Sequence, residues 1–168
     1  MTDRLDDLER RVRALEERLA EAAPTEPASV PPGTGDAFWA LTGLEERVDS
    51  PGAVMLVGSV EVPGAGRARW QYGLPTDALE DRDWASAVPA LDALANPVRL
   101  ALLKQVFSGV HTTAELTTAA GLGTTGQLHH HLRALIAGGW LHTTGRGRYE
   151  IPADRIVPLL AILTATTT

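Results

Sequence analysis

The chain has 168 residues, 44% of them hydrophobic and 21% charged, with a formal net charge of −6 and no cysteine. That length holds one ordinary domain, or a small domain with appendages. The missing thiols exclude a disulfide framework, thiolate metal sites and cysteine nucleophiles. No apolar run reaches the roughly 18 residues of a membrane span, and the charge that begins at Asp3 excludes a signal peptide, so a soluble cytoplasmic protein is expected. The charge is uneven along the chain. Residues 1–23 carry five basic and seven acidic side chains (net −2), residues 24–83 four and ten (net −6), and residues 84–168 six and four (net +2). All five histidines also lie in the last stretch, which is where a polyanion would dock.

Residues 3–22 form a short heptad array in which Leu5, Leu8, Val12, Leu15 and Leu19 are spaced 3, 4, 3, 4. With Leu5 at position a, the g positions are Arg4, Arg11 and Arg18 and the e positions Glu9 and Glu16. A parallel pair sets Arg4 against Glu9 and Arg11 against Glu16, whereas an antiparallel pair sets like against like. The pattern favours a parallel homodimeric coil, too short to hold alone; a solitary amphipathic helix is the plainer alternative. Residues 24–35, PTEPASVPPGTG, are a linker without a core. Residues 36–83 are acidic and are expected to hold a short helix around Phe38–Arg47 and then a β-hairpin. Its first strand is 53–62, with Val54, Leu56, Val60 and Val62 on one face; its turn is 63–66 and its second strand 67–73.

Residues 84–168 carry the densest signals. A helix is expected over 84–95. Asn96-Pro97 pairs a good N-cap with a residue suited to the first helical position and restarts the chain as a helix over 98–107. Thr112-x-x-Glu115 and Thr124-x-x-Gln127 read as capping boxes opening a short helix that stops at Gly121 and a longer one ending at Gly138-Gly139. WLHTT (140–144), a tip at Gly145-Arg146-Gly147 and RYEI (148–151) read as a second hairpin, followed by a helix over 154–164.

Helix, short helix, turn, helix and hairpin follow the order of a winged helix-turn-helix. The segments LANPVRLALLKQVFSG, TTAELTTAAGLGTTGQLHHHLRALIAGGWL and GRGRYEI resemble the ArsR-type bacterial transcriptional regulators, over about 80 residues from Ala90 onward. The resemblance implies a dimer made through the helices at 84–95 and 154–164, double-stranded DNA as partner, and an inverted-repeat operator. The expected fold class is α+β, mainly α: a winged helix-turn-helix domain at 84–168, preceded by the small hairpin region and an N-terminal coiled-coil helix.

At about 100° per residue, Leu128, Leu132, Leu135 and Ile136 fall on one side of the third helix and are its core face. Gly126, Gln127, His130, Ala134 and Ala137 lie opposite, with Arg133 at the boundary. Gln127 has the geometry to pair with adenine, Arg133 with guanine or a phosphate, and His130 with either. Thr124 and Thr125 stand where free helix N–H groups accept a phosphate. Arg146 and Arg148 are placed to touch phosphates or a minor groove, and His131 flanks the core side. No metal site is expected: His129, His130 and His131 are consecutive on a helix and cannot converge on one ion. Gly121-x-Gly123-x-x-Gly126 matches a dinucleotide fingerprint but follows a helix, without a βαβ unit. No catalytic motif, and no cofactor, is expected. The leading reading is a dimeric DNA-binding regulator. Two alternatives are a protein-interaction scaffold, whose hairpin arginines would pair with acids in cis, and a ligand-sensing regulator. The latter's pocket would lie near residues 36–83, lined by Trp39, Trp70 and Tyr72.

Overall fold

The computed structural model describes residues 38–119 and 125–167. The heptad residues Leu5, Leu8, Val12, Leu15 and Leu19, the linker and Thr124 lie outside the described residues. The chain divides into two units, Met1–Gly43 and Leu44–Thr168. Helix α1 (Trp39–Glu45) begins in the first and exposes Trp39.

The second unit opens with the expected hairpin. Strands β1 (Ala53–Val62) and β2 (Gly66–Pro75) pair antiparallel from Ala53 opposite Pro75 to Val62 opposite Gly66. The second strand outruns the expected 67–73 because the ladder continues to Pro75. Leu56, Gly58, Val60 and Val62 share a half-buried face with Ala68, Trp70 and Leu74. Val54 has the same phase but is 63% exposed, although Leu74 opposite it is half-buried. The hairpin packs on the last helix, α7 (Ala153–Ala165). Gly58 permits the approach: a Cβ there would sit 2.5 Å from Val157 Cγ1.

Helix α2 (Thr76–Glu80), which the sequence pattern did not announce, follows β2 directly. The single helix expected at 84–95 is instead a 3-10 turn (Trp84–Ala87), capped by the Asp83 carboxylate, and helix α3 (Val88–Leu94). The change falls between Ala87 and Val88, just ahead of Pro89, whose missing N–H is tolerated in the first turn of a helix. Asn96 caps α4 (Pro97–Phe107) as expected, its Oδ1 accepting from the N–H groups of Val98 (2.9 Å) and Arg99 (3.2 Å). The Thr112–Glu115 capping box also forms at the start of α5 (Thr113–Ala119): Thr112 N–H donates to Glu115 Oε2 at 3.0 Å, and Glu115 N–H to Thr112 Oγ1 at 3.3 Å. The longer helix is α6 (Thr125–Ala137).

The second hairpin is shorter than expected, β3 (His142–Gly145) and β4 (Arg148–Glu150). Trp140 and Leu141, expected in its first strand, turn inward and are buried. The segment 111–113 pairs along β4, with Tyr149 N–H donating to His111 O and Thr113 N–H to Gly147 O, each at 2.9 Å.

The core lies entirely among the helices and this hairpin. Leu102, Leu103 and Val106 of α4 meet Leu116 of α5 and Leu128, Leu132 and Leu135 of α6, with Trp140, Leu141, Tyr149 and Leu159 around them. The Trp140 indole N–H, buried with its ring, donates to Ala90 O at 2.8 Å, as a buried tryptophan requires. The described chain is therefore α+β and mainly helical, with two two-stranded antiparallel hairpins.

Candidate functional site

Helix α6 divides its faces close to the expected pattern. Leu128, Leu132 and Leu135 are buried, while Thr125, Gly126, Gln127, His129, His130 and Arg133 are exposed. Ile136, expected in the core, is 38% exposed. It lies at the margin of the stripe that Leu128, Leu132 and Leu135 define, while Leu135 in the same turn stays buried. Gln127, His130 and Arg133 are each about one turn apart along the exposed surface. Arg133 Nε donates to His129 O at 3.3 Å, which holds the guanidinium along its own helix.

His131 is half-buried, and its buried Nδ1 has no hydrogen-bond partner among the described residues. Burial, then the positive charges of His130 and Arg99, push its pKa below the ordinary histidine value. The ring packs edge-on to His130, 5.5 Å between centroids. Its surroundings thus disfavour the charged form.

The β3–β4 tip supplies the second group of cations. Gly147 has φ +70°, a conformation side chains avoid. Its carbonyl accepts from both the N–H and the hydroxyl of Thr113, at 2.9 and 3.2 Å. The tip is thereby fastened to the start of α5. Arg146 projects from it exposed, without an ion pair or hydrogen bond among the described residues. Arg148 is also exposed, but its Nε lies 3.6 Å from Glu150 Oε1. Among the described residues, the cis pairing expected of a scaffold is thus present at Arg148 and absent at Arg146. Arg148 also helps hold the Glu115 carboxyl below its usual range, after the Thr112 hydroxyl and N–H as main causes.

The sequence pattern missed Arg99. Its Nε donates to Ala93 O at 2.7 Å and its Nη2 to Asp92 O, so one guanidinium closes the C-terminus of α3. A cation just after an Asn-Pro restart was the available signal. Apolar side chains stand exposed on the helices assigned to dimerisation. Trp84, at 74%, Val88 and Leu91 form a row along the 3-10 turn and α3, and Leu100, Phe107, Leu160 and Leu163 line a groove of about 300 Å³ between α4 and α7.

A cleft of about 500 Å³ opens between the β1–β2 turn and the base of β4. Val62, Phe107, His111, Arg148, Glu150 and Ile156 line it; neither Trp70 nor Tyr72 does, and Trp39 belongs to the other unit. Trp70 is half-buried in the hairpin face and Tyr72 is exposed. Among the described residues there is no cluster of three metal-ligating side chains, and no helix is long and apolar enough to cross a membrane.

No family model and no curated protein matches the chain. Among solved structures, the chain is similar to an O-methyltransferase from neocarzinostatin biosynthesis, determined in complex with S-adenosyl-L-homocysteine. The two are 27% identical over 48% of this chain and 25% of that one, with a TM-score of 0.31. The chain spans a quarter of that structure, and a likeness so slight carries no conclusion about activity.

Proposed function

We propose that the protein is a cytoplasmic DNA-binding transcriptional regulator with a winged helix-turn-helix of the ArsR type, acting as a dimer on an inverted-repeat operator. The observation that carries this reading is the pairing of faces on α6. Its inner face is core, while Gln127, His130 and Arg133 are left exposed on the same unit as the unpaired Arg146. Helix α6 would enter the major groove with its N-terminal half, and the β3–β4 tip would reach the adjacent backbone. A net charge of +2 over residues 84–168 is modest for this task, so affinity would draw on two copies. The exposed row Trp84, Val88 and Leu91 supports such pairing, to which the N-terminal heptads would add a parallel contact.

The test is selection of bound duplexes from a random pool by the full chain. A two-fold symmetric site should emerge, and Gln127→Ala should cost about 1–3 kcal/mol on it and relax one base preference. Failure to enrich any sequence overturns the reading. The Arg148–Glu150 pair favours one rival, a scaffold that uses the same fold to bind protein; it predicts no salt-dependent DNA binding.

A further inference from the structure

We infer that the cleft between the β1–β2 turn and β4 is an effector site for a small monocarboxylic acid with an aromatic or alicyclic body, and that this acid and DNA compete for Arg148. The coupling to DNA rests on the function proposed above; the ligand site does not. Val62, Phe107 and Ile156 give an apolar part to the lining of a space of about 500 Å³. That volume lies in the usual range for small-molecule sites. Its polar groups are few and asymmetric. Arg148 approaches Glu150 only at 3.6 Å, too long for a hydrogen bond. Its planar set of donors is therefore unmet among the described residues and suits a carboxylate bound by two parallel bonds.

His111 gives the carboxylate no donor: its Nδ1 lies 3.0 Å from Tyr149 O, and a carbonyl only accepts, so Nδ1 carries the hydrogen and Nε2 of the neutral ring is left as an acceptor. Arg148 alone is then the anchor for the acid. Glu150 sets the limit on charge. It already accepts from Thr144 Oγ1 at 3.3 Å and neighbours Arg148, so a second negative charge on the ligand would be repelled and a cation would gain little. Arg148 stands two residues from Arg146 in the tip, and its strand is paired with the segment that opens α5. An acid that takes its guanidinium withdraws a cation from the DNA-facing hairpin, and linkage requires DNA to weaken the acid in return.

The experiment is calorimetric titration of the full chain with three probes sharing one ring system: naphthalene-1-carboxylate, naphthalene-1-methanol and naphthalene-1-methylamine. The carboxylate should bind about tenfold tighter than the other two, and R148Q should erase that advantage, the scale expected for losing a charged hydrogen-bonding partner. A65W, an exposed turn residue at the mouth of the cleft, should abolish binding of all three without weakening DNA binding. Equal binding of the alcohol or amine, no binding of the carboxylate, or indifference to both variants overturns the site. With selected DNA, saturating carboxylate should weaken affinity about tenfold in the wild type and not in A65W. Binding of the acid with unchanged DNA affinity overturns the coupling. Absence of DNA binding in the protein without acid overturns the regulator reading instead, while the calorimetry still decides the cleft.

Discussion

The helical part of the second unit and the β1–β2 hairpin are held in different ways. The helices and β3–β4 contribute buried leucines from three successive helices around Trp140, whereas no residue of β1 or β2 is fully buried. The hairpin is kept by its own ten-residue ladder and by the packing of both strands on α7, closest where Gly58 meets Val157. A frame of the first kind fixes side chains in space, which is what presenting Gln127, His130 and Arg133 to a partner demands.

The largest effect should come from the frame. Leu132→Ala removes a side chain at 1% exposure and should cost roughly 2–5 kcal/mol, read in a denaturant titration in which every spectroscopic probe moves together. Gly58→Val strikes the attachment instead. The new side chain meets Val157 and should cost about 1–3 kcal/mol. It should open the 63–66 turn to protease while the Trp140 environment is unchanged. If Gly58→Val unfolds the whole unit, the two parts are one and the contrast fails.

Smaller effects should follow pH, in two windows. Glu115 has its carboxyl pKa lowered in the folded chain by the Thr112 hydroxyl and N–H. Its stabilisation is therefore present above the ordinary value of 4.5 and lost as pH falls through the lower folded value. His131 is lowered by burial, so the unfolded chain takes up the proton first. Stability then declines as pH falls below the ordinary value of 6.5 toward the depressed one. In denaturation measured against pH, Glu115→Gln should flatten only the acid window and His131→Leu only the higher one. An unchanged slope in either variant removes the corresponding assignment.

Local chemistry was legible in the residues. Asn96-Pro97, the Thr112–Glu115 box and the alternation of β1 each rest on neighbours a few positions away, and all three formed as read. Features set by distant segments were not. Val54 and Ile136 were expected on covered faces, but phase alone does not tell how far the neighbouring elements cover each side chain. The pairing of 111–113 with β4 joins residues more than thirty positions apart, and the cleft is lined from four separate stretches of chain, with neither Trp70 nor Tyr72 among them. Thr76–Glu80 has only five residues, too short to display a helical period. The exposed face of α6 was legible because a helix with one core stripe fixes its opposite side.

The most direct test of the account is the salt dependence of duplex binding by the full chain and by Arg146→Ala. Both should bind more weakly as salt rises, and the variant's log–log slope should be shallower by about one, with similar losses across sequences because Arg146 is assigned to the backbone. Salt-independent binding, or identical slopes for the two proteins, would contradict the placement of the α6 face and the β3–β4 tip on DNA.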